Sequence, residues 1–142
     1  LQAERDRDIV AALHPKETYT DAERAALQTL ADNNPRLSIR TGGMEELLRG
    51  CDYVVTMNSA AAFNGYFFGK PCILFGRIDF HHIALSASPD DLSAFDNITT
   101  HTPDYAGYLL WFWQQNSINA GRPDVRDQIR AALIRCDWPV KA

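Results

Sequence analysis

The chain has 142 residues, enough for a hydrophobic core, and we predict one domain over residues 1–142. A formal charge of −4 excludes a typical nucleic-acid-binding protein, because binding phosphates requires a clustered basic surface. No apolar run approaches the roughly 18 residues of a membrane span, and the charged N-terminus lacks an apolar signal region, so we expect a cytoplasmic protein that is not transmembrane.

The first half of the chain alternates predicted strands and helices. A short apolar strand over 9–13 precedes a helix that begins at Thr20 or Asp21 and ends near Asp32, before Pro35. A strand over 37–40 is followed by a helix over 44–49 that stops at Gly50. This alternation is typical of parallel sheets with helices packed on their faces.

The segment over 51–77 continues the alternation. A buried strand over 53–57 ends at Asn58-Ser59, two good helix N-caps, and a short helix begins at Ala60. Gly69 ends that helix, and a further strand covers 72–75. A helix that starts at the carboxyl end of a parallel strand presents free N–H groups where open α/β sheets bind ligands.

Loops and helices are predicted after Gly76. Ser88-Pro89-Asp90-Asp91 predicts a helix start for a segment that ends near Phe95. A strand over 98–101 follows. Thr102-Pro103-Asp104 then starts a helix to about 115, and Pro123 or Asp124 starts a final helix to about 135. We therefore predict an α/β fold, a Rossmann-like parallel sheet flanked by helices, with additional C-terminal helices.

Ser59 and the amides of Ala60 and Ala61 are the best candidates for binding a phosphate, because a hydroxyl at a helix N-terminus adds a donor to convergent amides. The alternative is that Asn58-Ser59 only caps the helix.

His14 closes the first strand before Pro15, which restricts it to an extended geometry and aims its imidazole from the sheet edge. Lys16 next to it could add a positive charge. Arg77 also follows a strand, and its guanidinium suits a phosphate or a sugar carboxylate. The alternatives are an ordinary loop histidine, an exposed lysine, and a surface ion pair between Arg77 and Asp79.

We predict neither a metal nor a cofactor. Asp79, His81 and His82 look like metal ligands, but adjacent histidines do not easily face one ion and no third group completes a site. Three cysteines, Cys51, Cys72 and Cys136, lack pairing or metal-ligand spacing and are predicted to be reduced, buried thiols.

The helix after Asp104 is apolar nearly all round. Half of its large side chains are expected in the core, and the others, near Trp111 and Trp113, could form an interface. The expected occupant is a missing N-terminal domain or a second copy of the chain.

Four short motifs resemble those of bacterial capsule polysaccharide glycosyltransferases of the GT-B type, including Kdo transferases. They are His14-Pro15, Asp52 to Ser59, Gly69-Lys70-Pro71 and Phe75-Gly76-Arg77, and the likeness runs from about residue 9 to about 115. The resemblance implies the C-terminal, donor-binding half of such an enzyme. The donor would be a nucleotide sugar, for example one activated by CMP.

The resemblance also implies roles for individual residues. His14 would contact the nucleotide phosphate and protonate it on departure. The other residues of the expected substrate site are Lys16, Asn58, Ser59, Ala60, Asn64 and Arg77. Two positions depart from the family pattern: Ala12-Leu13 replaces a basic-Pro pair, and Asn64 replaces a glutamate that would hold the ribose hydroxyls.

The chain begins at Leu1 rather than Met, which indicates a fragment, a processed chain or an excised domain. The resemblance implies an enzyme whose active site lies between two domains, so we expect this chain to be inactive alone. Two other functions stay open. One is a degenerate, non-catalytic binding module of the same fold. The other is a domain similar to a nucleotide-sugar epimerase.

Overall fold

The computed structural model describes residues 1, 3–4 and 6–139. They belong to two compact units, Leu1–Pro103 and Asp104–Ala142. The first unit is a mixture of parallel strands and helices, in the order β1 (Ile9–Leu13), α1 (Asp21–Asp32), β2 (Leu37–Thr41), α2 (Met44–Gly50), β3 (Val54–Thr56), α3 (Ala61–Tyr66), β4 (Cys72–Leu74), β5 (Leu85–Ser86) and α4 (Ala94–Asn97). The predicted α/β class is confirmed, and this arrangement is compatible with a Rossmann-like fold.

Helix α1 begins where its sequence predicts, because Thr20 and Glu23 form a reciprocal cap. The Glu23 backbone N–H donates to Thr20 Oγ1 at 3.2 Å, and the Thr20 N–H donates to Glu23 Oε2 at 2.8 Å. Both bonds satisfy donors that a helix start would otherwise leave open. At the other end the Asn33 side chain donates to the Thr29 carbonyl at 2.8 Å, which ends the helix before Pro35.

The strands form two small parallel sheets. In one, β1 pairs with β2 from Ile9 opposite Leu37 to Leu13 opposite Thr41. In the other, β4 lies between β3 and β5, with Thr56 opposite Leu74. The predicted parallel pairing is confirmed, although the predicted single sheet is divided in two among the described residues.

The core of the first unit lies around β4, whose three residues are all buried. Ile73 and Ile98 are completely shielded from solvent and pack in one cluster with Ala94. Beside this cluster the buried Tyr66 hydroxyl donates to the Phe80 carbonyl at 3.1 Å, which satisfies its hydrogen bond. Burial on both faces explains why β4 is a continuous apolar run.

A polar cluster, here called the N-terminal clasp, consists of Glu4, Arg7, Arg36, Asp52 and Tyr53. Glu4 is buried and accepts a hydrogen bond from the Tyr53 hydroxyl, while Arg7 Nε donates to Asp52 Oδ2 at 2.6 Å. Arg36 donates to the carbonyls of Glu4 and Arg7 at 2.8 and 2.9 Å. The clasp therefore joins the segment before β1 to Arg36, the residue that precedes β2, and to the segment before β3.

Over residues 104–139 the second unit contains two helical stretches. Helix α5 (Tyr105–Leu110) continues into a π-helical segment, Trp111–Gln115, and α6 spans Val125–Arg135. Asp104 Oδ1 accepts the Gly107 N–H at 2.9 Å, so α5 starts at the predicted cap. Both predicted helices are confirmed, whereas the π-helical segment was not predicted.

Three local predictions are wrong. Ser88 and Asp91 exchange backbone hydrogen bonds of 2.9 and 3.1 Å in a tight turn, and the helix starts only at Ala94. The expected strand over 98–101 is a 3₁₀ turn, Ile98–Thr100, closed by the His101 N–H on the Ile98 carbonyl. Cys136 is exposed rather than buried.

The large side chains of α5 and the π-helical segment are less buried than predicted, because Tyr105, Leu109 and Phe112 are only partly buried. Tyr108 is buried, while Trp111 and Trp113 are exposed. None of the helices among the described residues is long and apolar enough to cross a membrane.

Candidate functional site

The loops that follow β3 and β4 run side by side. The Phe75 N–H donates to the Thr56 carbonyl at 3.0 Å, and the Gly76 N–H donates to the Met57 carbonyl at 2.8 Å. A Cβ at Gly76 would lie 3.0 Å from that Met57 oxygen, so a side chain at this position would press the two loops apart. The structure thus brings the Asn58-Ser59 and Arg77 positions to one sheet edge.

Ser59 is engaged in local hydrogen bonds. Its backbone N–H donates to Thr56 Oγ1 at 3.2 Å, and its Oγ accepts the Ala61 N–H at 3.2 Å. Helix α3 starts at Ala61 rather than at the predicted Ala60, and one of the two predicted anion-binding amides already has a partner. The hydroxyl hydrogen of Ser59 is still available to a ligand, because Oγ acts only as an acceptor in this bond.

Asn64 lies on the second turn of α3, exposed, with its Nδ2 3.6 Å from Met44 Sδ. Met44 is the first residue of α2, so this contact joins the two helices. Between them lies an open cleft of about 440 Å³, lined by Met44, Glu45, Leu48, Asn64, Phe67 and Phe68. Apart from Asn64 and Glu45, its lining is apolar.

Both walls of this cleft begin at the carboxyl ends of strands. Gly42 and Gly43 have φ angles of +74° and +69°, which turn the chain from β2 directly into α2. The Arg49 guanidinium lies 5.0 Å from the centre of the Phe68 ring, and Arg49 Nη2 pairs with Glu45 Oε1 at 2.7 Å. The cleft therefore extends from Met44, at the start of α2, along both helices to Phe67 and Phe68, which follow the end of α3.

His14 follows β1, at the carboxyl end of the other sheet. Its Nδ1 accepts the Lys16 N–H at 3.2 Å, and its own N–H donates to the Tyr19 hydroxyl at 3.0 Å. An accepting Nδ1 places the proton of the neutral ring on Nε2. The exposed imidazole therefore presents an N–H donor outward, while Lys16 is an exposed cation.

The two sheets run in the same direction at their junction. Arg7 and Asp52 join the segments that precede β1 and β3, whereas Met44 and Asn64 join the helices that follow β2 and β3. His14 thus lies at the same end as Ser59. In the part of the chain that the structure describes, no hydrogen bond or ion pair joins His14 to Ser59 or to Arg77.

The region after Arg77 has no metal-site geometry. The His81 and His82 rings stack with centroids 4.4 Å apart, and His81 Nδ1 contacts the Ile78 carbonyl. Within residues 1, 3–4 and 6–139, no three His, Cys, Asp or Glu side chains gather around a common point. Over the same residues Arg77 forms no ion pair with Asp79.

Sequence reasoning identified Asn64 but missed the apolar residues around it. The clearest examples are Met44, Phe67 and Phe68, for which the sequence pattern indicates only a helix. Phe67 and Met44 are 46% and 38% exposed, more than a helix face that packs in a core. Aromatic residues clustered near a short helix were the available signal.

No family model, curated protein or solved structure matches this chain. A functional assignment therefore depends on the chemistry of these residues and on the short motifs alone.

Proposed function

We propose that the chain is the donor-binding part of a glycosyltransferase of surface polysaccharide biosynthesis, and that it holds a nucleotide sugar at the carboxyl edge of its strands. The observation that carries this proposal is the cleft between α2 and α3. It combines an apolar lining with the amide of Asn64, and one of its walls is α3, the helix that follows the loop of Ser59.

The cleft suits the nucleoside. Its volume of about 440 Å³ lies in the range of small-molecule sites, which are mostly apolar with a few oriented polar groups. The half-exposed Phe67 ring and Met44 thioether offer contact to a base. Asn64 has an amide oxygen and two N–H groups for the ribose or the base edge, in the position where the family pattern has a glutamate.

Three groups suit the phosphate. They are the Nε2–H of His14, the hydroxyl of Ser59 and the guanidinium of Arg77, with Lys16 as a further cation. Hydrogen bonds from charged donors to phosphate oxygens are stronger than those between neutral groups. A chain with a net charge of −4 would need such local donors to hold an anionic ligand.

Glycosyl transfer breaks the bond between the anomeric carbon and a phosphate oxygen, and the electron pair stays on that oxygen. In this proposal the anomeric carbon forms its new bond to the acceptor oxygen, and the phosphate leaves with the negative charge. Arg77, Ser59 and a hydrogen bond from the His14 Nε2–H stabilise that charge. The acceptor hydroxyl would lose its own proton to a base on a second domain. We therefore expect no transfer activity from this chain alone.

Calorimetric titration with CMP and with UMP tests the nucleotide site. We expect weak binding that the double variant His14→Ala, Ser59→Ala reduces by about tenfold to a hundredfold, because a charged hydrogen bond is worth roughly 1.5–3 kcal/mol. The matched control is Gln28→Ala, on the exposed surface of α1. Unchanged affinity in the double variant would reject these residues as ligands.

Asn64→Glu separates the enzyme from its main alternative, a degenerate binding module. A second carboxylate oxygen could accept from both ribose hydroxyls, so tighter CMP binding is expected if the site still recognises a nucleotide. The specific observation that favours the degenerate module is the use of Ser59 Oγ as a cap for Ala61. No effect of Asn64→Glu would support that alternative.

Activity is tested by supplying the missing half. A longer parent chain, or an N-terminal domain added in trans, should transfer sugar from a nucleotide donor, whereas the present chain should not. Transfer by the present chain, after contaminating enzymes are removed by a second purification, would place the whole active site within these residues.

A further inference from the structure

The second unit contains a separate cleft of about 440 Å³ where the π-helical segment ends and α6 has not yet begun. Polar and apolar atoms contribute about equally to its surface. The lining residues are Trp113, Gln114, Ser117, Ile118, Asn119 and Arg122, with Gln128 contributed by α6. None of these residues belongs to the nucleotide site proposed above.

Local hydrogen bonds hold both walls of this cleft in place. At the end of the π-helical segment, Ser117 Oγ donates to the Phe112 carbonyl at 2.9 Å, and Asn116 Nδ2 donates to the Trp111 carbonyl at 3.0 Å. On the other side, Asn119 Oδ1 accepts the Gly121 N–H at 2.9 Å and so orders the turn that carries Arg122. π-Helical turns are rare and occur frequently at functional sites.

The polar groups of the cleft keep both donors and acceptors for a ligand. Asn119 uses its oxygen in the turn, which leaves its NH₂ group, and Gln128 uses its NH₂ group on Asp124 at 2.8 Å, which leaves its oxygen. Gln114 adds an exposed amide with both functions. A sugar hydroxyl both donates and accepts, so a mixed set of this kind matches it better than an all-donor site would.

Trp113 and Arg122 offer contacts to two parts of a saccharide, the ring face and a carboxylate. The Trp113 side chain is 51% exposed, and the flat face of an indole packs well on the C–H face of a sugar ring. The Gln128 amide and the nearby positive charge of Arg122 lower the pKa of Asp124. In the described part of the chain Arg122 forms no direct ion pair, so its guanidinium can bind a ligand carboxylate through two parallel hydrogen bonds.

The charge distribution favours an acidic ligand on this unit rather than on the other. Residues 104–142 carry five Lys or Arg and four Asp or Glu. Residues 1–103 carry nine Lys or Arg and fourteen Asp or Glu. The excess negative charge of the chain therefore resides in the first unit. A carboxylate ligand meets less repulsion at residues 104–142.

We propose that the Trp113 cleft is a saccharide-binding site that recognises a carboxylate-bearing sugar, with Trp113 as the stacking platform and Arg122 as the carboxylate ligand. This inference does not depend on the nucleotide proposal. The ligand would be a segment of acidic polysaccharide rather than a sugar nucleotide.

Calorimetry on the full 142-residue chain tests the site with two probes, a glucuronate-containing tetrasaccharide and the neutral maltotetraose. We expect the acidic probe to bind at least about fivefold more tightly. Arg122→Gln should remove this preference and leave the affinity for maltotetraose unchanged. Trp113→Ala should weaken both probes by about fivefold or more, and Trp113→Phe should restore part of the loss.

Trp138→Ala is the matched control, because Trp138 is 64% exposed and does not line the cleft. Circular dichroism melts establish that each variant is folded. Three results would each overturn the proposal. They are no binding of either probe, an equal loss of affinity in Trp138→Ala, and tighter binding of an acidic peptide than of the saccharide. The affinity for CMP should be unchanged in Trp113→Ala. Saccharide binding and CMP binding therefore test the two proposed sites independently.

Discussion

Arg7 Nε lies 2.6 Å from Asp52 Oδ2, and this contact joins the residue two positions before β1 to the residue two positions before β3. Next to it, Glu4 and Tyr53 form the buried hydrogen bond of the clasp. The two parallel sheets are therefore connected at their amino ends by side chains from a stretch that is neither strand nor helix.

Protonating Glu4 should destabilise the protein at low pH. The hydrogen bond from Tyr53 and the N–H groups of Asp6 and Arg7 lower the pKa of Glu4 from its ordinary 4.5 to about 2, against the opposing effect of burial. A lowered carboxyl pKa means that its stabilisation is complete above pH 4.5 and is lost as the pH falls toward 2. Chemical denaturation between pH 7 and pH 2 measures this loss.

Glu4→Gln isolates the contribution of that carboxylate. We expect the variant to lose about 1.5–3 kcal/mol of unfolding free energy at pH 7, and the difference from the unaltered protein to shrink toward pH 2. Glu17→Gln, at an exposed position, should change stability by less than about 0.5 kcal/mol. A Glu4→Gln difference that stays constant with pH would contradict the assigned role of the clasp.

The ion pair of Arg7 with Asp52 should contribute little. The two side chains are 36% and 67% exposed, and exposed pairs are typically worth about 0.2–1 kcal/mol. A double-mutant cycle of Arg7→Gln and Asp52→Asn measures the coupling, which 1 M salt should reduce. The same cycle for Glu4→Gln and Tyr53→Phe should give a larger coupling free energy. A larger coupling for Arg7 and Asp52 would show that the surface pair is the stronger interaction.

Gly76→Ala should destabilise the edge where Ser59 and Arg77 lie. The added methyl would meet the Met57 backbone oxygen at 3.0 Å, and forcing a methyl into a packed position typically costs about 1–3 kcal/mol. Gly50→Ala is the control, because its Cβ would have no neighbour within 4 Å at the end of α2. Thermal unfolding should separate the two variants, and equal melting temperatures would indicate that the two loops can move apart.

The three thiols should react with a disulfide reagent in the order of their exposure. Cys136 is exposed, Cys51 is half-buried and Cys72 is buried, and burial raises the pKa of both Cys51 and Cys72, which lowers their thiolate fraction. Mass spectrometry of timed samples should find Cys136 modified first and Cys72 only after denaturant is added. Early modification of Cys72 would mean that β4 opens readily.

Elements with a local cause were predictable. The reciprocal cap of Thr20 and Glu23 operates within four residues, so α1 was located from sequence alone. Ser88-Pro89-Asp90-Asp91 shows the limit of such signals, because serine, proline and aspartate favour tight turns as well as helix starts. Here Asp91 Oδ1 accepts the Ser93 N–H at 3.0 Å, and the helix begins only beyond it.

Elements with a distant cause were not predictable. β5 has two residues and exists because Leu85 pairs with Ile73, a partner that the sequence around Leu85 does not specify. Ile98 looks like a strand residue, but its place in the buried cluster with Ile73 and Ala94 holds it in a 3₁₀ turn. The apolar lining around Asn64 was missed for the same reason, since α2 and α3 meet only in three dimensions.

The clasp also has a consequence for the order of folding. Its bonds span 45 residues from Arg7 to Asp52 and 49 from Glu4 to Tyr53, so the entropy of closing this long loop must be met before either bond forms. β1, α1 and β2 depend on nearer contacts and are expected to form first. Tyr53→Phe should then accelerate unfolding and leave the refolding rate nearly unchanged in stopped-flow experiments. The charged residues Glu4 and Arg7, which precede the first strand, would thus set how slowly the native state unfolds.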